Sequence, residues 1–105
     1  MEKPIHSSRS DEPELAEQIE AFVIGLAERV DELQEAELKG DRFKLTAKAR
    51  TLGTSAKELG FDLLAASASD LERCGRTDSA EQIRETLIDL TEIAMRIRMG
   101  HRGAV

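Results

Sequence analysis

Cysteine is nearly absent, with Cys74 alone among 105 residues. A lone thiol makes no internal disulfide, so the count does not describe a secreted disulfide scaffold. Tryptophan and tyrosine are missing and only three Phe are present. The core therefore has to be aliphatic, built from Leu, Ile, Val and Ala. Both prolines precede residue 14, which leaves the rest of the chain without the residue that breaks helices most strongly. No apolar run approaches the roughly 18 residues of a membrane span. The first ten residues, MEKPIHSSRS, lack the apolar stretch of a secretory signal. No membrane partner is expected, and a cytoplasmic location is. Positive charge is in deficit as well: 15 Lys and Arg against 21 Asp and Glu leave a formal net charge of −6. Nucleic acid and anionic lipid are polyanions, so neither is expected as a main partner.

What is present is helical spacing over a length that suits one domain. Residues 1–10 and 100–105 are polar and aperiodic, and are expected to be tails around a folded unit over 11–99. The first helix should begin near Ser10 or Asp11, with Pro13 in its first turn and Glu12 and Glu14 near its positive end. Leu15, Ile19, Phe22, Leu26, Val30 and Leu33 recur at steps of three and four and form its apolar stripe. Gly40 should end it, and Gly25 is a possible break. Asp41 is a candidate N-cap for a second helix carrying Leu45, Ala49, Leu52, Ala56 and Leu59, with Gly60 as its stop. Gly53 falls inside that helix, where it costs about 1 kcal/mol relative to Ala; a local reason is implied. A third helix is expected over about 61–74, on Leu64, Ala68 and Leu71, closed by Gly75. The last should begin at Asp78, with Glu81 completing a capping box, and should bury Ile83, Leu87, Leu90, Ala94 and Ile97. Four amphipathic helices with short connections predict an all-α fold, an antiparallel up-down-up-down four-helix bundle.

The chemical inventory is thin. The only His residues, His6 and His101, lie in the expected tails. One Cys and two such His offer no zinc spacing. No Gly-rich loop leads into Lys-Ser/Thr, so no nucleotide cradle is expected. No His within the folded region could activate a Ser. Acidic residues fall mainly on polar helix faces. Cys74, at a helix end, reads as packing. No catalytic residue, metal or cofactor is expected, and an enzyme of unrelated chemistry finds nothing to stand on.

One run of residues is more specific. Gly40-Asp41 is followed by Ala49-Arg50-Thr51-Leu52-Gly53-Thr54-Ser55-Ala56, then Leu59-Gly60, then Leu71-Glu72. This resembles the histidine-containing phosphotransfer (HPt) domain of multistep two-component relays. That family's pattern runs Gly-Asp, a helix with Ala-His-x-Leu-Lys-Gly-Ser-Ala, Leu-Gly, and a helix ending Leu-Glu. The intervals agree without a gap: nine residues from Asp41 to the His position and twelve from Gly60 to Glu72. The resemblance runs from Ile19 into the last helix and implies a four-helix bundle. It departs at the centre. Arg50 stands where the phosphoaccepting His would be, Gly53 where a Lys would help hold the phosphoryl group, and Thr54 where a small Gly would be. Capture of phosphate needs a ring nitrogen with a free lone pair, whereas guanidinium stays protonated and only donates. The resemblance thus implies the scaffold of a phosphotransfer domain without its reaction.

What is left is a face for docking. Helical geometry gathers Phe43, Thr46, Ala47, Arg50, Gly53, Thr54 and Lys57 opposite the Leu45–Leu59 stripe. Phe43 could lie on that face or fold under the helix end. By resemblance the partner would be a response-regulator receiver domain, free or within a hybrid histidine kinase, whose acidic pocket a guanidinium could meet as a bidentate donor. The expected function is a pseudo-HPt adaptor. The alternative is a self-associating scaffold, a homodimer, with Ile88, Met95 and Met99 as its interface.

Overall fold

A computed structural model of the chain describes residues 3–77 and 79–103. Pro13–Leu15 form one 3-10 turn that leads into α1, Ala16–Leu38; α2 spans Arg42–Glu58, α3 Asp62–Thr77 and α4 Ala80–Gly103. Among the described residues there is no strand, so the fold is all-α. Each helix packs on its neighbour in the chain, and α1 also packs on α4, which closes a ring of four around one core.

Two glycines make the first two corners. Gly40 (φ 69°) and Gly60 (φ 82°) take left-handed backbone that a side chain would strain. Each corner closes the same way. The Gly40 N–H donates to the Glu37 carbonyl at 3.1 Å, and the Asp41 N–H to the Ala36 carbonyl at 2.9 Å. The Gly60 N–H donates to Lys57 O at 3.2 Å, and the Phe61 N–H to Ala56 O at 2.8 Å. These pairs satisfy carbonyls that a helix end otherwise leaves open. Asp41 caps α2 as expected, its carboxylate accepting from the Lys44 N–H at 3.0 Å. At the start of α4 the cap is Ser79, whose Oγ accepts from the Gln82 N–H at 3.2 Å; the expected cap, Asp78, lies outside the described residues.

The core is the set of stripes read from spacing. Leu26, Leu33, Leu45, Leu52, Leu64, Leu71, Leu90 and Ile97 are its most enclosed large side chains. Leu15 and Ile19, at the start of the first stripe, are only half-buried against it. Val23, Ala36 and Phe61 join it from outside those stripes, and the Phe61 ring stacks on Phe22 at 5.5 Å between centroids. Cys74 is buried beside Thr86.

Four boundaries differ from the sequence expectation. Leu15 belongs to the 3-10 turn, so α1 starts only at Ala16. It then runs through Gly25 without a break. Gly75 does not close α3, which continues to Thr77. Its lack of a side chain serves packing instead, because a Cβ there would stand 2.7 Å from Thr46 Cγ2 on α2. Helix α4 continues past residue 99 to Gly103, with Gly100 buried.

The segment expected as an N-terminal tail lies across one end of the bundle over residues 3–9. Ile5 N–H donates to Arg96 O at 3.0 Å and Ser8 N–H to Gly60 O at 2.9 Å. The Ser7 hydroxyl is buried and donates to Leu59 O. Arg9 Nη1 donates to Glu58 O at 2.8 Å. The donors of Ser7, Ser8 and Arg9 meet the open carbonyls from Glu58 to Gly60 at the C-terminal end of α2, and that of Ile5 meets one on α4, which explains why a polar segment docks where aliphatic periodicity gave no signal.

Candidate functional site

The candidate face is built on α2, and α2 is held close to α3. Gly53 sits against α3 so closely that a Cβ there would lie 3.3 Å from Ala68 Cβ. Gly53 and Thr46 are half-buried in this seam. The local reason for a glycine inside α2 is thus close approach to α3. With those two residues turned toward α3, Phe43, Ala47, Arg50, Thr54 and Lys57 face solvent. Phe43 is 85% exposed, which places it on the surface rather than under the helix end. The structure therefore brings five of the seven candidates together as an open strip and uses the other two as packing beneath it.

Arg50 projects from the middle of α2 with its side chain 64% exposed. Its Nε donates to Glu72 Oε2 of α3 at 2.8 Å, and its Nη2 lies 2.8 Å from the same oxygen. Arg76 Nη2, one turn along α3, also donates to Glu72 Oε2, at 2.6 Å. The Glu72 side chain is only 17% exposed. Two guanidiniums therefore share one enclosed carboxylate oxygen, and the cluster keeps a net positive charge with donors to spare. Glu72 and Arg76 are site residues that the face reading missed. Their spacing of four on one helix signals their own pair; the link to Arg50 depends on how α2 meets α3.

The strip stands on the most positive helix of an acidic chain. Helix α2 carries Arg42, Lys44, Lys48, Arg50 and Lys57 against Glu58 alone, whereas α1 carries seven acidic residues against Arg29. The hydroxyls on α2 are turned inward to its own backbone: Thr46 donates to Phe43 O at 3.0 Å and Thr54 to Arg50 O at 3.1 Å. The strip thus offers guanidinium and ammonium donors beside one exposed ring. His6 lies in the N-terminal segment, near Gly100 of α4.

No protein-family model, curated protein or solved structure matches this chain.

The remaining features of α2 are less pointed. The groove between α1 and α2 is lined by Arg29, Glu32, Ala47, Lys48, Thr51 and Leu52. Lys48 Nζ pairs with Glu32 at 3.0 Å. Arg29 lies over the Phe22 ring at 5.4 Å, and its buried Nη1 has no hydrogen-bond acceptor. An N–H over a ring face recovers part of that cost. Among the described residues no cluster of three or more His, Cys, Asp or Glu could hold a metal ion, and no helix is long and apolar enough to cross a membrane.

Proposed function

We propose that this chain is a pseudo-HPt adaptor of a two-component relay in the cytoplasm. It docks on a response-regulator receiver domain, free or within a hybrid histidine kinase, without accepting phosphate. The observation that carries the reading is Arg50: a guanidinium projecting from mid-α2, exposed and held from below by Glu72, at the position where the resemblance puts a reactive imidazole. The reading takes the helices as antiparallel, up-down-up-down, because corners of three residues at Gly40 and Gly60 join helices that pack side by side.

The physical logic is complementarity. Receiver domains hold phosphorylatable Asp in an acidic pocket, and a bidentate cation fits carboxylate oxygens there. Phe43 adds apolar area at the strip's end. Removing Arg50 should weaken docking at least tenfold, since hydrogen bonds to charged groups contribute roughly 1.5–3 kcal/mol. The test is titration of the source cell's receiver domains with this chain, wild type and Arg50→Ala. Absence of saturable binding to every receiver rejects the docking. Incubation with a phosphorylated receiver should leave the chain unlabelled, and acid-labile phosphate on it would reject the claim of no transfer.

A further inference from the structure

The large exposed apolar side chains do not all belong to the α2 strip. Ile24 and Leu38 on α1 and Ile88 and Met95 on α4 are also uncovered. Ile88 (60% exposed) and Met95 (48%) border an open groove of about 400 Å³ between α1 and α4, with Gln34, Leu87 and Thr91 in its wall. Exposed apolar side chains bordering one groove and rimmed by charge are typical of an interaction surface.

The order of charges on α4 says what covers it. Ile88 and Met95 are two helical turns apart on one face. Three residues outward from each stands an exposed charge, Glu85 beyond Ile88 and Arg98 beyond Met95. This pattern is complementary to its own reverse. We infer that a second copy of this chain covers the edge, with the two α4 helices antiparallel about a two-fold axis between Thr91 and Glu92. In that register each Ile88 meets the other copy's Met95, and each Glu85 meets the other's Arg98. Arg84, paired at 3.5 Å with Glu37 of its own chain, meets the aliphatic Met99. A parallel pairing would instead set Glu85 and Arg98 each against itself. A contact in which one patch faces its own copy through a two-fold closes on itself and stops at the dimer.

The pairing does not depend on the adaptor reading, because α2 and α4 are not neighbours in the ring of helices. It leaves both α2 strips open, so the dimer has two identical docking faces.

Sedimentation equilibrium of the full chain across two decades of concentration tests this. A reversible monomer–dimer equilibrium is expected, of modest affinity because one helix pair makes a small interface. Met95→Glu should weaken it at least tenfold while the helical circular dichroism stays unchanged, since Met95 is partly exposed and outside the core. Glu85→Arg and Arg98→Glu should each weaken it, and the chain carrying both should regain most of the wild-type affinity. Phe43→Ala and Arg50→Ala should leave it unchanged. A chain that stays monomeric throughout overturns the proposal, its edge then belonging to a different protein. A dimer indifferent to Met95→Glu, or a double charge exchange weaker than either single one, overturns it too. Receiver binding measured on Met95→Glu reports on the α2 strip separately.

Discussion

Between α2 and α3 the contact is made by residues with little or no side chain: Gly53 against Ala68, and Gly75 against Thr46. Between α1 and α4 longer polar side chains meet instead. Gln34 Nε2 donates to Thr91 Oγ1 at 3.4 Å, and Arg84 reaches Glu37 at 3.5 Å. Small residues let helix axes approach, and at that separation an Arg on one helix can set its guanidinium on a Glu of the next. The α1–α4 pair keeps an open groove with Ile88 and Met95 uncovered at its border. One pair of helices thus presents an ordered cationic strip, and the other an unfinished apolar edge.

Enlarging the seam is the strongest way to break that contrast. Gly75→Val would press on Thr46 Cγ2, and overpacking of a close contact typically costs about 1–3 kcal/mol. Urea unfolding should show the loss, and adding Thr46→Ala to the same chain should recover part of it. If Gly75→Val is neutral, the seam is not close. A methyl group where there is room should do the reverse. Gly25 on α1 has nothing within 4 Å of a Cβ, so Gly25→Ala should raise stability by roughly 0.5–1 kcal/mol through helix propensity alone. Gly53→Ala should fall between the two, its propensity gain offset by the 3.3 Å contact with Ala68.

Smaller still is the effect of Arg50 on the fold. Arg50→Ala should change unfolding free energy by no more than about 0.5 kcal/mol, as exposed positions usually do, while docking to a receiver falls at least tenfold. A large stability loss would make Arg50 a structural residue rather than a recognition one.

The smallest effect is at acid pH, away from the seam. The Arg9 guanidinium hydrogen-bonds Glu12, and the Lys39 ammonium hydrogen-bonds Glu35; each holds its carboxyl below the ordinary glutamate range. Depressed folded-state values mean that the unfolded chain binds more protons there. Their contribution is complete above the ordinary glutamate value and is lost as pH falls through the depressed ones. Thermal midpoints followed into acid should decline less steeply in the Glu12→Gln/Glu35→Gln chain, and salt should shrink the difference because both pairs are exposed.

Much of the bundle was legible in spacing. Leu45, Ala49, Leu52 and Ala56 are buried as their steps of three and four require, since the side on which a residue falls is a local property of the helix. Gly40 and Gly60 were legible as corners because left-handed backbone excludes most other residues. Gly75 was misread as a corner of the same kind, because composition does not tell a glycine that ends a helix from one that admits a neighbour. The N-terminal segment was missed for a related reason: its anchors are Ser7, Ser8 and Arg9 donating to carbonyls about fifty residues away, and polar donors carry no period.

The order of residues alone determined which stretches are helical, which side of each is apolar, and that no lone pair of the imidazole kind stands at position 50. These properties lie within one or two turns of chain. Only the tertiary structure decided that Phe43 is exposed, that Glu72 and Arg76 join Arg50, and that Ile88 and Met95 border a groove between α4 and α1. Each of these depends on which helix lies against which and how near, and that is set by the whole core packing at once.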